Sequence, residues 1–375
     1  MNQGRLSSDD IARYSRHLKL AGFGIAAQEK LLQSRVLLIG AGGLGCPAGL
    51  YLAAAGVGTL GLVDHDLVEI HNLQRQIAHR TEAAGTPKVR SLGRALAELN
   101  PTVDLELHQV QVDETNVADL VASYDLVIDG TDNYTTRYLV ADACHLARKP
   151  LVYGAIHQFE AQLSVFEPGN GPCYRCLFPQ PPDPSQTPSC NEAGVLGVLP
   201  GVIGVMMATE AIKFLTAVGT SMVGTLVLYS ALDQSIRHVR LARDPSCPLC
   251  GDTPSIVSVR REVVPCSAAP TVPEISPEAA RALIGTDALW LDVRERHEWD
   301  ICRIDGAELL PLGQLAPERL DHLNRQNPLV VYCYKGGRSA RAVALLRDLG
   351  FDEAVSLAGG IDAWADRIAP DMARY

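Results

Sequence analysis

Basic residues are in deficit. The 375-residue chain carries 33 lysines and arginines against 43 acidic side chains, a formal net charge of −10. That balance argues against a nucleic-acid surface, which needs a concentrated basic face. Overall charge does not fix local charge, so a single basic pocket for a nucleotide stays open. Long apolar runs are missing too. The opening, MNQGRLSSDDIARYSRHLKL, lacks the apolar core of a secretory signal. The most apolar later stretch, Gly194 to Ala208, is too short to cross a bilayer, is broken by Pro200 and by glycines, and runs into Thr209-Glu210. No internal repeat is visible. The expectation is a cytoplasmic protein with no membrane partner. In that compartment structural disulfides are rare, so the ten cysteines are expected as thiols, metal ligands or nucleophiles.

Hydrophobic residues make up 47% of the chain and charged residues 20%, a globular composition. The length predicts two domains, each able to bury a core. The first is expected over residues 1–255 and the second over 275–375, joined by a tether at 256–274. The proline-rich segment VVPCSAAPTVPE, Val263 to Glu274, shows no period. In the first region the expected order is strand RVLLIG, turn AGGLG, helix CPAGLYLAAAG and strand TLGLVD. Further strands are expected at VDLELHQVQV and YDLVIDGT. This is the pattern of a Rossmann-like α/β domain with a parallel or mixed sheet. The second region reads as a smaller α/β domain, with strands ALWLDV and PLVVYCY and a helix in SARAVALLRDLG.

Gly40-Ala41-Gly42-Gly43-Leu44-Gly45 fits G-x-G-x-x-G between a strand and a helix, and Asp64 closes the next strand where a ribose-binding acid belongs. Glycines suit this turn because a Cβ would block the approach of phosphate to backbone N–H groups. Alone, the motif points first to an NAD-dependent dehydrogenase. The neighbours shift the balance: Arg13-Tyr14-Ser15-Arg16, Asp64-His65-Asp66, Asn72-Leu73-Gln74-Arg75-Gln76, Pro87-Lys88-Val89 and Asp129-Gly130-Thr131-Asp132-Asn133. Together they resemble the adenylating enzymes that activate ubiquitin-like proteins, and most closely the bacterial MoeB/ThiF-type adenylyltransferases of the molybdopterin and thiamine pathways. The resemblance spans roughly Asp10 to Gly251.

That resemblance implies ATP and Mg²⁺ as cofactors. Adenylation sends a carboxylate against the α-phosphorus while pyrophosphate leaves, so phosphate charge must be neutralised by metal and fixed cations. It implies that Asp64 holds the ribose and that Asn72, Arg75 and Lys88 contact phosphates. Asp132 would hold Mg²⁺, a hard cation suited to a carboxylate. Gly40, Gly42, Gly43, Gly45, Asp66 and Asn133 complete the nucleotide set. Arg16 matches an arginine that reaches into the partner subunit's site, which implies a homodimer. Residue by residue, blander readings stand beside these: Arg75 and Lys88 as solvated charges, and Asp132 as the cap of the helix that follows.

Cys173-Tyr174-Arg175-Cys176 and Cys247-Pro248-Leu249-Cys250 are two C-x-x-C knuckles. Four thiolates in two such pairs suit tetrahedral Zn²⁺ with no open position. A redox dithiol is the alternative, and the resemblance favours structural zinc. Cys190, in the loop-like QTPSCNEAGVLG, is a candidate nucleophile for a covalent link to a carrier protein; a passive thiol is the alternative. Cys46 and Cys144 fall on apolar faces and read as buried fillers.

In the second region Leu291-Asp292-Val293-Arg294-Glu295, Cys333-Tyr334-Lys335-Gly336-Gly337-Arg338-Ser339 and Leu357-Ala358-Gly359-Gly360-Ile361-Asp362-Ala363-Trp364 occur in order. They resemble a single rhodanese domain over about Ile275 to Ala369. Cys333 ends a buried strand ahead of a glycine turn and a helix, so backbone N–H groups and a helix N-terminus should favour its thiolate. Arg338 is expected to add positive charge. A plain buried strand cysteine is the alternative. Cys302-Arg303-Ile304 stands where that family usually has glycine-histidine-isoleucine, and it adds a thiol.

The function implied is adenylation of the C-terminal glycine of a ubiquitin-like sulphur carrier ending in Gly-Gly. Sulphur would then pass to it from a Cys333 persulfide charged by thiosulfate or a cysteine desulfurase. The rivals are an NAD-dependent oxidoreductase with a regulatory rhodanese module, and a zinc-stabilised scaffold with only the rhodanese active.

Overall fold

The computed structural model describes residues 6–182, 194–261 and 271–375, and they fall into two compact units. In the first, Arg35–Ile39 (β1), Thr59–Val63 (β2) and Leu126–Asp129 (β4) are short apolar runs buried along nearly their whole length. Such runs suit strands covered on both faces. With Asp104–His108 (β3) and Leu151–His157 (β5) they form a parallel array. Glu160–Phe166 (β6), Thr225–Ser230 (β7) and Ser235–Arg240 (β8) extend it antiparallel, giving the order β3-β2-β1-β4-β5-β6-β7-β8. Alternate residues of β1 feed separate cores. Val36 and Leu38 pack with the helices Gly45–Ala55, Lys88–Leu99 and Leu199–Thr216, whereas Leu37 and Ile39 pack with Val117–Ala122 and Tyr134–Leu146.

Two expectations need adjusting. The strand expected over VDLELHQVQV stops at His108, because the chain then leaves the sheet to line a cavity at Val110–Glu114. From Leu199 on, the apolar stretch Gly194 to Ala208 belongs to an 18-residue helix, Leu199–Thr216. By length and composition this helix could cross a membrane, yet half of it is buried, against helix Gly45–Ala55 and strands β5 and β6. It runs through Glu210 because that buried carboxylate is satisfied by the Met222 N–H at 3.0 Å and by Lys213.

The second unit is a five-stranded parallel sheet of Glu274–Ile275 (β9), Leu289–Asp292 (β10), Glu308–Leu309 (β11), Leu329–Tyr332 (β12) and Ala354–Leu357 (β13), ordered β11-β10-β12-β13-β9. Val331 and Cys333 face one core and Val330 and Tyr332 the other. Cys302 packs on the Tyr332 side, the opposite face from Cys333.

Candidate active sites and a four-cysteine centre

Strand β1 sits between β2 and β4, where successive connections run in opposite directions, and the crevice at such a switch point is the usual ligand site of an open α/β sheet. A cavity of about 520 Å³ opens there. Among its walls are Gly40, Gly42, Gly43, Asp64, Asp66, Arg75, Lys88, Asp132 and Asn133. The glycines divide the work. Gly40 has φ +96°, and a Cβ there would press on the Gly130 carbonyl oxygen at 2.8 Å; a Cβ at Gly45 would fall on the Gly40 carbonyl. These two therefore let strand, turn and helix close up. A Cβ at Gly42 would meet only the Gln76 side chain at 3.5 Å, so this backbone faces the cavity with little in front of it. Gly45 and Asn72 are not on the cavity wall. Asn72 is buried, its side-chain oxygen without a partner among the described residues.

The Asp64 carboxylate accepts the Ala41 and Asp66 N–H groups, both at 2.8 Å, so it fixes the glycine turn while lining the cavity. Lys88, almost fully buried at the start of its helix, pairs with Asp66 at 2.7 Å. Arg75 donates to the His71 carbonyl at 3.1 Å. The capping alternative for Asp132 fails: the cap of helix Tyr134–Leu146 is Asn133, which accepts the Thr136 N–H at 2.9 Å, and Asp132 is exposed on the cavity wall. Arg16 is exposed on helix Ser15–Leu18 and lies off this cavity.

Sequence reasoning gave no individual role to three supporting residues. His79 Nε2 lies 2.9 Å from the Ala41 carbonyl and its Nδ1 2.9 Å from the Ser91 hydroxyl, which buttresses the glycine turn from behind; burial holds its pKa low. Asp129 is buried and burial pushes its carboxyl up. Arg137 is buried on the cavity wall. A histidine in a loop, the first residue of a motif and a charge just beyond it carry no period or spacing that would assign them a role. Cys46 and Cys144 are buried as expected, and burial pushes the Cys46 thiol up to about 12, so it is a filler rather than a nucleophile.

The two knuckles converge. Cys173 and Cys247 sulphurs lie 3.5 Å apart, Cys176 and Cys250 3.3 Å, and Cys173 and Cys176 3.8 Å. All four fit within 4.8 Å of one another. Tetrahedral zinc with bonds of about 2.3 Å needs sulphurs about 3.8 Å apart, so the donor set and its size fit zinc. Between the first pair of cysteines, Arg175 forms a buried two-pronged pair with Asp142, 2.7 Å in each prong, pinning the knuckle to helix Tyr134–Leu146. Cys190 lies outside the described residues.

In the second unit Cys333 directly follows β12, and its sulphur accepts the N–H of Gly336 at 3.1 Å and of Ser339 at 3.4 Å. Helix Gly337–Asp348 begins at this sulphur, with both N–H groups aimed at it. Gly360, at φ +62°, lets the next helix back onto the loop; the Ile361 N–H donates to the Cys333 carbonyl at 2.8 Å. The Arg338 charge expected near this sulphur is paired with a carboxylate. Its guanidinium forks onto Glu298 at 2.6 and 2.7 Å, and the Tyr375 hydroxyl joins Glu298 at 2.9 Å to Arg294 at 2.7 Å. Burial opposes ionisation of Glu298, but hydrogen bonds from Arg338 and the Glu295 N–H outweigh it and hold the carboxyl below its usual range.

The ThiF family profile matches residues 14–249 and the rhodanese-like domain profile residues 276–367. The chain belongs to the ThiF family. Its ThiF part carries the glycine turn of the cavity and Cys173, Cys176 and Cys247, Cys250 follows directly after it, and its rhodanese part carries Cys333. A protein of Mycobacterium tuberculosis named as a probable adenylyltransferase/sulfurtransferase, MoeZ, is 44% identical over 99% of this chain and 96% of its own. The mouse adenylyltransferase and sulfurtransferase MOCS3 is 40% identical over 99% and 88%. The MOCS3 of Arabidopsis thaliana is 38% identical over 99% and 86%. This ThiF-family chain is accordingly an adenylyltransferase and sulphurtransferase. In fold, it is similar to Escherichia coli MccB solved with ATP, at a TM-score of 0.57 and 20% identity over 67% of this chain and 77% of that one.

Proposed function

We propose that the first unit adenylates the C-terminal glycine of a ubiquitin-like sulphur-carrier protein ending in Gly-Gly, and that the second delivers sulphur to give a carrier thiocarboxylate. The observation that carries the reading is one chain holding both a glycine-turn cavity with Arg75, Lys88 and Asp132 on its wall and a cysteine aimed into a helix N-terminus. The relatives' names support the two transfers.

ATP binds with its phosphates along Gly42 and Gly43 and its ribose against Asp64. Arg75 and Lys88 neutralise phosphate charge, Asn72 supports them, and Arg16 of a second copy completes the site in a homodimer. Asp132, an exposed carboxylate on the wall of the same cavity as Asp64 and Asp66, would offer a hard oxygen donor of the kind Mg²⁺ takes; when bound, that ion would screen phosphate charge. The carrier carboxylate attacks the α-phosphorus and pyrophosphate leaves. The Cys333 thiolate takes sulphane sulphur from thiosulfate, releasing sulphite, or from a cysteine desulfurase persulfide, releasing that thiolate. The terminal sulphur of the Cys333 persulfide then attacks the acyl-adenylate carbonyl and AMP departs, leaving an acyl disulfide. Two-electron reduction of its S–S bond by a dithiol frees the thiocarboxylate and returns Cys333. Cys173, Cys176, Cys247 and Cys250 hold zinc in a structural role, and Cys190 is the candidate for a covalent carrier link. We place the enzyme in the cytoplasm, where these thiols stay reduced.

ATP–pyrophosphate exchange stimulated by a Gly-Gly carrier tests the first half. Exchange that disappears with Lys88→Ala and with Asp132→Ala supports it; NAD binding without exchange would favour an oxidoreductase, and exchange surviving both changes would refute the assignment.

A further inference from the structure

Thr131 links the end of β4 to the exposed Asp132, and every polar group it has is taken. Asp129 accepts the Thr131 N–H at 2.9 Å and its hydroxyl at 2.7 Å. Arg137 donates to the Thr131 carbonyl at 2.7 Å. That carbonyl belongs to the very peptide that carries the Asp132 nitrogen, so the two charged side chains grip the chain from both sides immediately before Asp132.

The grip is energetically awkward. Asp129 is 1% exposed and Arg137 7%, and no direct ion pair joins them among the described residues. Arg137 Nε has no hydrogen-bond partner among the described residues, and an unmatched buried polar atom costs about 1–3 kcal/mol. Arg137 also lies at the end of the first turn of helix Tyr134–Leu146, where the helix dipole disfavours a cation. The guanidinium stacks over the rings of Tyr134 and Tyr153, each 5.7 Å away, which fixes its orientation. An apolar pair of similar volume would fill this space with at least equal stability. What an apolar pair would lose is the hold on Thr131.

We propose that Asp129 and Arg137 are positioning residues, a charged clamp on the Thr131 peptide that aims the Asp132 carboxylate at the metal–phosphate position. The proposal rests on the adenylation reading above. Asp129 is off the cavity wall, and Arg137, though on it, spends its hydrogen bond on the Thr131 carbonyl, so both act through the peptide. A clamp of this kind sets how well Asp132 meets a divalent cation and leaves the nucleotide's base and ribose contacts alone. Its loss therefore weakens cation affinity and kcat more than the KM for ATP, and supporting residues of this type typically change metal affinity by about 10–100-fold.

The test uses the full-length protein with Mn²⁺ as a spectroscopic probe. Quenching of the free Mn²⁺ paramagnetic signal, titrated with a non-hydrolysable ATP analogue present, reads cation affinity without turnover. The Asp129→Asn/Arg137→Met double variant removes both buried charges together, so neither is left unpaired, and thermal melting reports whether it folds. The clamp predicts a Mn²⁺ midpoint raised by about 10–100-fold, matching the direction of Asp132→Ala. It also predicts partial recovery in Arg137→Lys, which keeps the charge and one donor direction. A folded double variant with the wild-type midpoint and wild-type kcat would overturn the clamp. If the double variant does not fold, Arg137→Lys and Arg137→Gln carry the same comparison. A wild-type protein that binds the analogue with no cation dependence and shows no pyrophosphate exchange would overturn the adenylation reading, and the clamp with it.

Discussion

Replacing Arg175 by methionine separates the two things that hold the four-cysteine centre to the nucleotide domain, the thiolates themselves and the ion pair buried between them. Arg175 and Asp142 side chains are 4% and 1% exposed and meet through two bonds of 2.7 Å. Removing Arg175 takes both charge-assisted bonds from a buried carboxylate on helix Tyr134–Leu146, a loss of about 3–5 kcal/mol by comparison with other buried pairs. The stacking of Arg175 over the Tyr138 ring, 4.9 Å away, goes as well and adds up to about 1 kcal/mol. For a unit of this size each kcal/mol lowers the melting temperature by about 2–4 °C, so the ion-pair loss alone predicts a fall of roughly 6–20 °C in the first unit's transition. The exposed pair Arg296–Asp300, with 76% and 55% exposure, is the control: Arg296→Ala should move nothing by more than about 0.5 kcal/mol. Arg175→Met combined with Asp142→Leu removes both buried charges of the pair together and should recover most of the loss. Calorimetry alongside zinc analysis is the assay. A single Arg175→Met change costing less than about 1 kcal/mol would refute the argument that this pair pins the knuckle.

Gly45→Ala should abolish ATP binding, because the new methyl lands on the Gly40 carbonyl, whereas Gly42→Ala should fold normally and raise the KM for ATP; equal effects would contradict the division of labour among the glycines. His79 has a folded pKa below its ordinary 6.5 because burial disfavours the imidazolium. The unfolded chain therefore binds the extra proton first, and stability is whole above about pH 6.5 and declines as pH falls towards the folded value, by up to about 1.4 kcal/mol per pH unit. His79→Gln should flatten that slope in pH-dependent melting, and an unchanged slope would assign it elsewhere. Glu298→Gln releases the Arg338 charge beside the thiol loop and should speed alkylation of Cys333 near pH 7, while Arg338→Gln should slow it. Opposite signs would remove Arg338 from the electrostatics of that sulphur.

Much of this architecture was legible before any coordinates. Short apolar runs bounded by glycine turns located β1, β2, β4, β10 and β12, because strands buried on both faces need little more than such runs. The cysteine knuckles and the Cys333 loop were legible because metal and thiolate chemistry impose fixed local spacing. What escaped was the part set by tertiary distance. Nothing local marks His79 as the support of Ala41, Arg137 as the partner of the Thr131 carbonyl, or Glu298 as the partner of Arg338 across 40 residues of chain. The expected charge of Arg338 gave no hint of the carboxylate that holds it, for that reason. The capping alternative for Asp132 failed by a single residue, since Asn133 has the extended backbone that an N-cap requires. The antiparallel extension through β6, β7 and β8 carried no distinct sequence signal, and β8 is exposed throughout.

The coupling of the two chemistries is tested most directly by intact mass spectrometry of a Gly-Gly-ended carrier incubated with the full-length enzyme, Mg-ATP, thiosulfate and a dithiol reductant, across a panel of carriers with pyrophosphate exchange followed in parallel. The account predicts one carrier whose mass changes by replacement of one oxygen with sulphur, and no change with Cys333→Ala even though exchange continues. A carrier converted equally well by Cys333→Ala, or a panel in which no carrier supports either exchange or conversion, would contradict it.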